Sequence, residues 1–295
     1  APAGGRKSPR RRRAERNDRP GVASLDDTIL PALERELDAG RPFAGEYRIG
    51  NHHLTVGARI AGRIVERRGG GALAPESIRL RFHGTAGQSF GAFAVAGMCL
   101  ELEGEANDYV GKGLSGGAIA IRPFREALYA AAGRRHVILG NTALYGATAG
   151  SLFASGGAGD RFAVRNSGAV AVIEGVGSHC CEYMTGGVVV VLGETGPNFA
   201  AGMTNGTAYV LDASGTLERR INLDSARVSS LDARDEELLA GLVREHATRT
   251  GSPLARALLT DWDRARTGFR KVAPRESVVP VAPQTARLAG AAGRV

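Results

Sequence analysis

Along the middle of the chain, a short apolar run preceded by a polar residue and glycine keeps returning. It occurs as Ser167-Gly168-Ala169-Val170-Ala171-Val172-Ile173, as Thr185-Gly186-Gly187-Val188-Val189-Val190-Val191-Leu192 and as Asn205-Gly206-Thr207-Ala208-Tyr209-Val210-Leu211. Gly168, Gly187 and Gly206 are spaced by 19 residues at both steps, and Val172/Val191/Val210 and Ile173/Leu192/Leu211 fall in equivalent slots. A glycine and a β-branched run repeating at a period of roughly 20 mark one supersecondary unit stacked on itself. Glycine supplies turns or room for close backbone approach, and Val and Ile favour strands. The pattern predicts an all-β fold, a parallel β-helix, with Gly97, Gly117, Gly168, Gly187 and Gly206 as its structural repeat glycines.

The phase extends backwards through Gly116-Gly117-Ala118-Ile119-Ala120-Ile121 and Ala96-Gly97-Met98-Cys99-Leu100-Glu101-Leu102. Gly84 to Gly91 reads as the corner before that coil, and Pro123 to His136 as an insertion at another corner. About six coils of 19 to 20 residues then fit between Ser77 and Asp212. At about 4.8 Å per rung, the solenoid is on the order of 30 Å long. Equivalent side chains, Val172, Val191 and Val210 among them, are expected to pile in register along its axis.

The flanks carry a different period. Ile29, Leu30, Leu33 and Leu37 have helical spacing, with Ser24 as N-cap and Gly40 at the end. Tyr47 to Ile49 is extended, Val56 to Val65 fits strand or helix, Gly69 to Gly71 is a break, and Ser77 to Phe82 alternates as the first solenoid strand. Leu217 to Asn222 is expected as the last strand. A helix follows over 235–250 with Leu238, Leu239, Leu242, Val243 and His246 on one stripe; Ser252-Pro253 opens another that carries Leu254, Leu258 and Trp262. Arg270 to Pro274 reads as extended. These helices are expected to cap the open end, because an uncovered rung invites strand addition. The boundaries read as a basic leader over 1–20, a linker with helix and extended piece over 21–76, the β-helix over 77–222, a helical cap over 223–276 and a flexible tail over 277–295.

Composition agrees with narrow coils: aromatics are 5% of 295 residues, and glycine numbers 42. The formal charge of +8 is mostly local. Ala1 to Pro20 holds eight Arg and Lys against Glu15 and Asp18, which leaves +2 for the rest. The leader is expected to be solvated and disordered, and the folded part offers no basic groove for nucleic acid. No apolar run reaches the length of a membrane span and no secretory leader is visible, so the expectation is a cytoplasmic protein without membrane contact.

Candidate chemistry is thin. Gly111-Lys112-Gly113-Leu114-Ser115-Gly116 matches a dinucleotide-binding glycine pattern, but a strand follows where that fingerprint needs a helix. The same objection removes Gly113 to Gly117 as a nucleophile elbow and leaves Ser115 a turn hydroxyl. Cys99, Cys180 and Cys181 match no metal or cluster spacing, and adjacent cysteines in a strand point to opposite sides. They read as structural thiols. His52-His53 and His179 lack ligand spacing, and His179 reads as a corner residue. Glu101, Glu103 and Glu105 share one strand face, solvated or paired across coils. Asn205-Gly206-Thr207 has the form of a glycosylation acceptor, which is irrelevant in a cytosolic protein. Neither catalytic, cofactor-binding nor metal-binding residues are assigned.

Longer ordered strings carry a resemblance. Gly84 to Phe93, Leu100 to Gly117, Ile138 to Thr148, Val164 to Gly168, Val172 to Gly177, Cys181 to Gly187 and Asn198 to Met203 resemble the C-terminal domain of the glutamate synthase large subunit, over about Asn17 to Glu276. The resemblance implies a right-handed parallel β-helix. It also implies a whole enzyme that makes two glutamates from 2-oxoglutarate and glutamine, with FMN and a [3Fe-4S] cluster in domains not present in this segment. Implied partners are the amidotransferase and FMN synthase domains and a small electron-donating subunit. The family's catalytic residues map to no position here, so the implied role is scaffolding. The start at Ala1, without Met and with a basic leader, reads as a cut-down large subunit. Similar β-helices in split glutamate synthases, N-methylglutamate synthase and formylmethanofuran dehydrogenase leave a separate scaffold subunit as the alternative.

Overall fold

The computed structural model describes residues 24–68, 73–127 and 136–275. The leader over 1–20, the glycine break at 69–71, residues 128–135 of the insertion expected from Pro123 to His136, and the tail over 277–295 lie outside the described residues. In order, the elements are α1 (Leu25–Asp38), β1 (Phe43–Ile49), α2 (Ala58–Arg68), β2 (Ile78–Ala86), β3 (Met98–Ala106), β4 (Ser115–Arg122), β5 (Val137–Leu139), β6 (Ala149–Ala158), β7 (Ser167–Val176), β8 (Thr185–Val191) and β9 (Asn205–Leu211). Then come β10 (Ala226–Ser229), α3 (Ala233–Thr250), α4 (Pro253–Thr260), α5 (Trp262–Thr267) and β11 (Phe269–Pro274).

The strands form one sheet in the order β1-β2-β3-β4-β6-β7-β8-β9-β11-β10. Its first eight strands pair in parallel, coil upon coil, which makes the chain a parallel β-solenoid. β5 bridges β3 and β6 on a second side of the coil. The parallel stack begins one coil before Ser77, at β1, which pairs residue for residue with β2.

Two apolar columns fill the interior. One runs Leu80, Leu100, Ile119, Leu152, Ala171, Val189, Ala208 and the other Phe82, Leu102, Ile121, Ala154, Ile173, Val191, Val210. Every member is buried. The expected Val172/Val191/Val210 pile is therefore off by one residue. Val172 pairs with Val190, whereas Val191 pairs with both Ile173 and Val210. The cause is a slip between β7 and β8 after Ser167, and in a strand a one-residue slip moves a side chain to the other face. Val172 and Val190 point outward.

That outward column changes character along the axis: Arg81 and Glu101 on β2 and β3, then Phe153, Val172, Val190 and Tyr209 on β6 to β9. Where it is apolar, the C-terminal helices cover it. Leu239, Leu242 and Val243 of α3, Ala255 of α4 and Phe269 of β11 pack there in a second core. Asp232 and Asp235 form a capping box at the start of α3, and Ser252 caps α4 at Pro253. The helices thus flank the solenoid, and the edge of β9 itself is closed by β11, which pairs with it antiparallel. Asp235 joins the three parts: Tyr209 Oη donates to it at 2.7 Å and Lys271 Nζ at 2.8 Å. Burial opposes its charge, but Lys271 and the hydrogen bonds outweigh burial and hold its carboxyl below the usual range.

The open reading of Val56 to Val65 is settled as helix from Ala58 onward, in α2, and two local readings differ from the sequence expectation. Leu217–Arg219 forms a 3-10 turn where a strand was expected, with Ile221 making a single bridge to Phe199. Trp262 opens its own short helix, α5, after Thr260.

At the other end, α1 and α2 are locked by a buried carboxylate. Asp26 accepts from the N–H groups of Gly57 at 2.8 Å and Arg59 at 3.0 Å, capping α2 from the first turn of α1. Burial raises its pKa despite these bonds. Replacing Asp26 with Ala removes the acceptor of the Gly57, Arg59 and Ile60 N–H groups, and is expected to cost about 1–3 kcal/mol in a denaturant melt. Because the folded pKa is raised, the wild-type contribution falls as pH rises through it, so the gap between wild type and Asp26→Ala should be widest in mild acid.

Candidate functional site

One wall of each coil is not a strand. It is built from six stacked strips: Ser89–Phe93, Tyr109–Gly113, Thr142–Gly146, Arg161–Arg165, His179–Tyr183 and Asn198–Gly202. In every strip the first, third and fifth residues have left-handed backbone, with φ between 53° and 68°. Thirteen of these eighteen are not glycine. Left-handed backbone costs an ordinary residue roughly 1–2 kcal/mol, so the strips persist because neighbouring layers fix them.

The fixing is a regular hydrogen-bond exchange. Tyr109 and Gly113 donate forward to Asn141 O and Tyr145 O, both at 2.9 Å, while Gly111 donates back to Phe90 O at 2.9 Å. The next layers repeat it: Thr142 donates to Asp160 O and Leu144 back to Val110 O. The second residue of each strip (Phe90, Val110, Ala143, Phe162, Cys180, Phe199) is buried inside the coil. Beside the strips runs a ladder of side chains. Asn141 N–H donates to Asp108 Oδ1 at 2.8 Å, Asp160 N–H to Asn141 Oδ1 at 2.8 Å and Ser178 N–H to Asp160 Oδ1 at 2.7 Å.

The outer surface of this wall carries exposed rings. Phe93 is 52% exposed, Tyr183 54% and Tyr109 38%, with Leu54 at 57% beside the first layer. Phe93 lies over Gly113 and Tyr183 over Gly202, where an added Cβ would come within 2.7 and 2.6 Å of the ring. Lys112 Nζ sits 5.4 Å from the Tyr109 ring and the Arg165 guanidinium 5.8 Å from that of Tyr183. Sheet and helices cover one another; these rings are left facing outward.

The residues singled out in the sequence are spread through this frame. Gly97 precedes β3, Gly117 lies in β4, Gly168 in β7, Gly187 in β8 and Gly206 in β9. At Gly168 the need is plain, since a Cβ would sit 2.0 Å from Thr148 O of the coil below. Gly111 and Gly113 belong to the wall, and their amides are spent between layers, not on a phosphate. Ser115 opens β4, its Oγ 3.4 Å from Ala94 O. His179 sits on the wall 3.5 Å from Glu182, and His52 stacks on His53 at 4.0 Å between ring centroids. Glu101 pairs with Arg81 and Glu103 with Arg122 on adjacent coils, each at 2.8 Å.

Cys180 and Cys181 are not in a strand. Both lie on the left-handed wall, fully buried, with their sulphurs 3.6 Å apart. Burial, then the neighbouring Cys181, pushes the Cys180 thiol well up, and burial pushes Cys99 up to about 11. One buried adjacent pair plus one distant single thiol do not fit the donor set of an iron–sulphur cluster, which takes three or four converging thiolates. Among the described residues there is no group of three or more His, Cys, Asp or Glu placed to hold a metal ion. A cavity of about 230 Å³ at the last coil is lined by Glu194, Thr195, Asp212, Ser214 and Arg220. Two of its polar groups are engaged within the coil: Arg220 donates to Thr195 O, and Asp212 accepts from Thr216 N–H at 2.9 Å. No helix among the described residues is long and apolar enough to cross a membrane.

Sequence reasoning missed the wall. Its left-handed positions hold Ser, Phe, Tyr, Arg, His and Asn, which advertise no such backbone. The readable trace is a second glycine series, Gly140, Gly159, Gly177 and Gly196, one ahead of the ladder, at steps of 19, 18 and 19.

Fold and surface together define a glycine-spaced parallel β-solenoid whose polar side chains largely serve its own coils. The chain belongs to the GXGXG motif family, whose model matches residues 26–275. It is 49% identical over 253 residues to the glutamate synthase [NADH] of Schizosaccharomyces pombe, covering 85% of this chain and 12% of that protein. It is 47% identical to ferredoxin-dependent glutamate synthase 2 of Synechocystis over 90% of this chain, and 44% identical to the Bacillus subtilis glutamate synthase [NADPH] large chain over 85%. The chain spans 17% of each of those two proteins.

Proposed function

We propose that this chain is the C-terminal structural domain of a glutamate synthase large chain, itself non-catalytic, holding the amidotransferase and FMN synthase parts in place. The observation that carries this is the coverage: near-half identity to glutamate synthases runs through the solenoid and its helices, yet accounts for only 12–17% of the S. pombe, Synechocystis and B. subtilis enzymes. Glutamate formation from 2-oxoglutarate and glutamine, with its FMN and [3Fe-4S] cluster, then belongs to the remaining parts, and the cytoplasm is the compartment. The side chains described here support that division, since the thiols do not suit a cluster and the acids are paired across coils.

The left-handed wall is the contact surface in this reading. Rings that are rigid, amphipathic and half exposed suit a protein interface, with Lys112 and Arg165 over them as polar rim. Phe93→Ala combined with Tyr183→Ala in the full large chain tests it. The isolated chain should keep its circular dichroism and melting temperature, while assembly-dependent glutamate formation falls by at least about tenfold. Unchanged activity in that variant, and in a large chain lacking residues 24–275, would sink the scaffold reading.

A further inference from the structure

Asn205 and Gly206 are the single Asn-Gly pair in the chain. They open β9 at a place where its ladder with β8 slips: Thr185 faces Asn205 and Val188 faces Thr207, so Gly186 and Gly187 share Gly206. The Gly206 N–H donates to the side-chain Oδ1 of Asn205 at 2.8 Å. A carbonyl bond is about 1.23 Å, so Asn205 Cγ lies within about 4 Å of that nitrogen, close to the roughly 3–3.5 Å of a near-attack arrangement. Asn205 is half-buried, and Gly206, at φ 88°, has no side chain to shield the approach.

Other asparagines are held differently. Asn166 is fully buried, its Nδ2 donating to Ala169 O and its Oδ1 accepting from Ala169 N–H, both at 2.9 Å. Asn141 spends its Oδ1 on Asp160 N–H in the corner ladder. Each is followed by a residue with a side chain, Ser167 or Thr142.

We infer that Asn205 is a site of self-modification in the folded protein. The Gly206 nitrogen attacks Asn205 Cγ, forming a C–N bond; its proton leaves with the side-chain nitrogen as ammonia. Water then opens the five-membered imide at either carbonyl, leaving aspartate or isoaspartate at 205. No oxidant or cofactor is needed, and the net change exchanges an amide nitrogen for an oxygen. Both products place a carboxylate at the start of the last parallel coil. Isoaspartate also lengthens the main chain by one methylene, which puts β9 out of step with β8 and β11.

The test is peptide mapping by mass spectrometry of the full chain held folded at mildly alkaline pH, beside a sample unfolded in urea. The expected result is a peptide heavier by about 1 Da at Asn205. It should form in the folded sample at least about tenfold faster than at Asn141 or Asn166, and vanish in Asn205→Gln. Hydrogen exchange over β9 should rise in the modified fraction. Conversion at Asn205 only in urea, a folded rate equal to that of the other two asparagines, or the same mass gain in Asn205→Gln would each overturn the inference.

Discussion

Gly104→Ala should fail to fold, and the failure should come from lack of space. Gly104 sits in β3 directly over Gly84 of β2, and a Cβ built on it would lie 1.9 Å from Gly84 O. The clash is with backbone, so no rotamer relieves it. The strain repeats one coil lower, where a Cβ on Gly84 would meet Ile49 O at 1.9 Å. Relief requires β2 and β3 to part, and with them the pairs Leu80/Leu100 and Phe82/Leu102 that build the interior columns. Losing a buried ladder and those apolar contacts exceeds the about 4–5 kcal/mol that marks an exceptional substitution. Gly146→Ala separates space from conformation. Gly146 is also left-handed, at φ 62°, yet nothing lies within 4 Å of its Cβ position. It should cost only about 1–2 kcal/mol. Soluble yield and circular dichroism read both; a Gly104→Ala chain melting near wild type would mean that β2 and β3 are not stacked in this register.

These glycines show what could be read from sequence and what could not. A 19-residue return of glycine and Val/Ile runs is a direct imprint of stacked coils, since each rung meets the same neighbours. Register was harder. Gly168 and Gly187 keep the 19-residue spacing, but the slip between β7 and β8 falls at these glycines and throws the next valines out of phase, and a uniform spacing rule places Val172 inward when it faces α3. Helices α1, α3 and α4 were legible because caps at Ser24 and Ser252 and apolar stripes are local signals, while the Asp232 cap of α3 emerged only from the structure. Their seat on the outer face of β6 to β9 was not, because it depends on an outward column turning from Arg81 and Glu101 to Phe153 and Val190. The left-handed wall was least legible of all. Residues such as Arg161 and His179 adopt it only because the layers above and below supply hydrogen bonds, and no preference of their own records that.

Removing His246 is expected to be the costliest side-chain truncation outside the coils. His246 of α3 places Nε2 3.2 Å from Glu174 Oε1 of β7, and Ser252, at the α3–α4 junction, donates its Oγ to the same oxygen. All three residues are fully buried, while Glu174 Oε2 and His246 Nδ1 have no hydrogen-bond partner among the described residues. Such a cluster sits where desolvation and pairing nearly cancel, so its net contribution is small while its halves are expensive to separate. His246→Ala strands the Glu174 carboxylate between sheet and helix, at a cost of about 3–5 kcal/mol. Glu174→Leu with His246→Leu removes both halves and should cost far less than the sum of the two single changes. Trp262, the one tryptophan, packs beside Phe269 at the edge of the same helical layer, so its fluorescence reports the loss of that layer in a urea titration. The first event in His246→Ala should be the lifting of α3 to α5 from β6 to β9, with the interior columns still protected from hydrogen exchange. A His246→Ala cost under about 1 kcal/mol, or a double variant as unstable as the sum of the singles, would mean that the pair does not hold the helices to the solenoid.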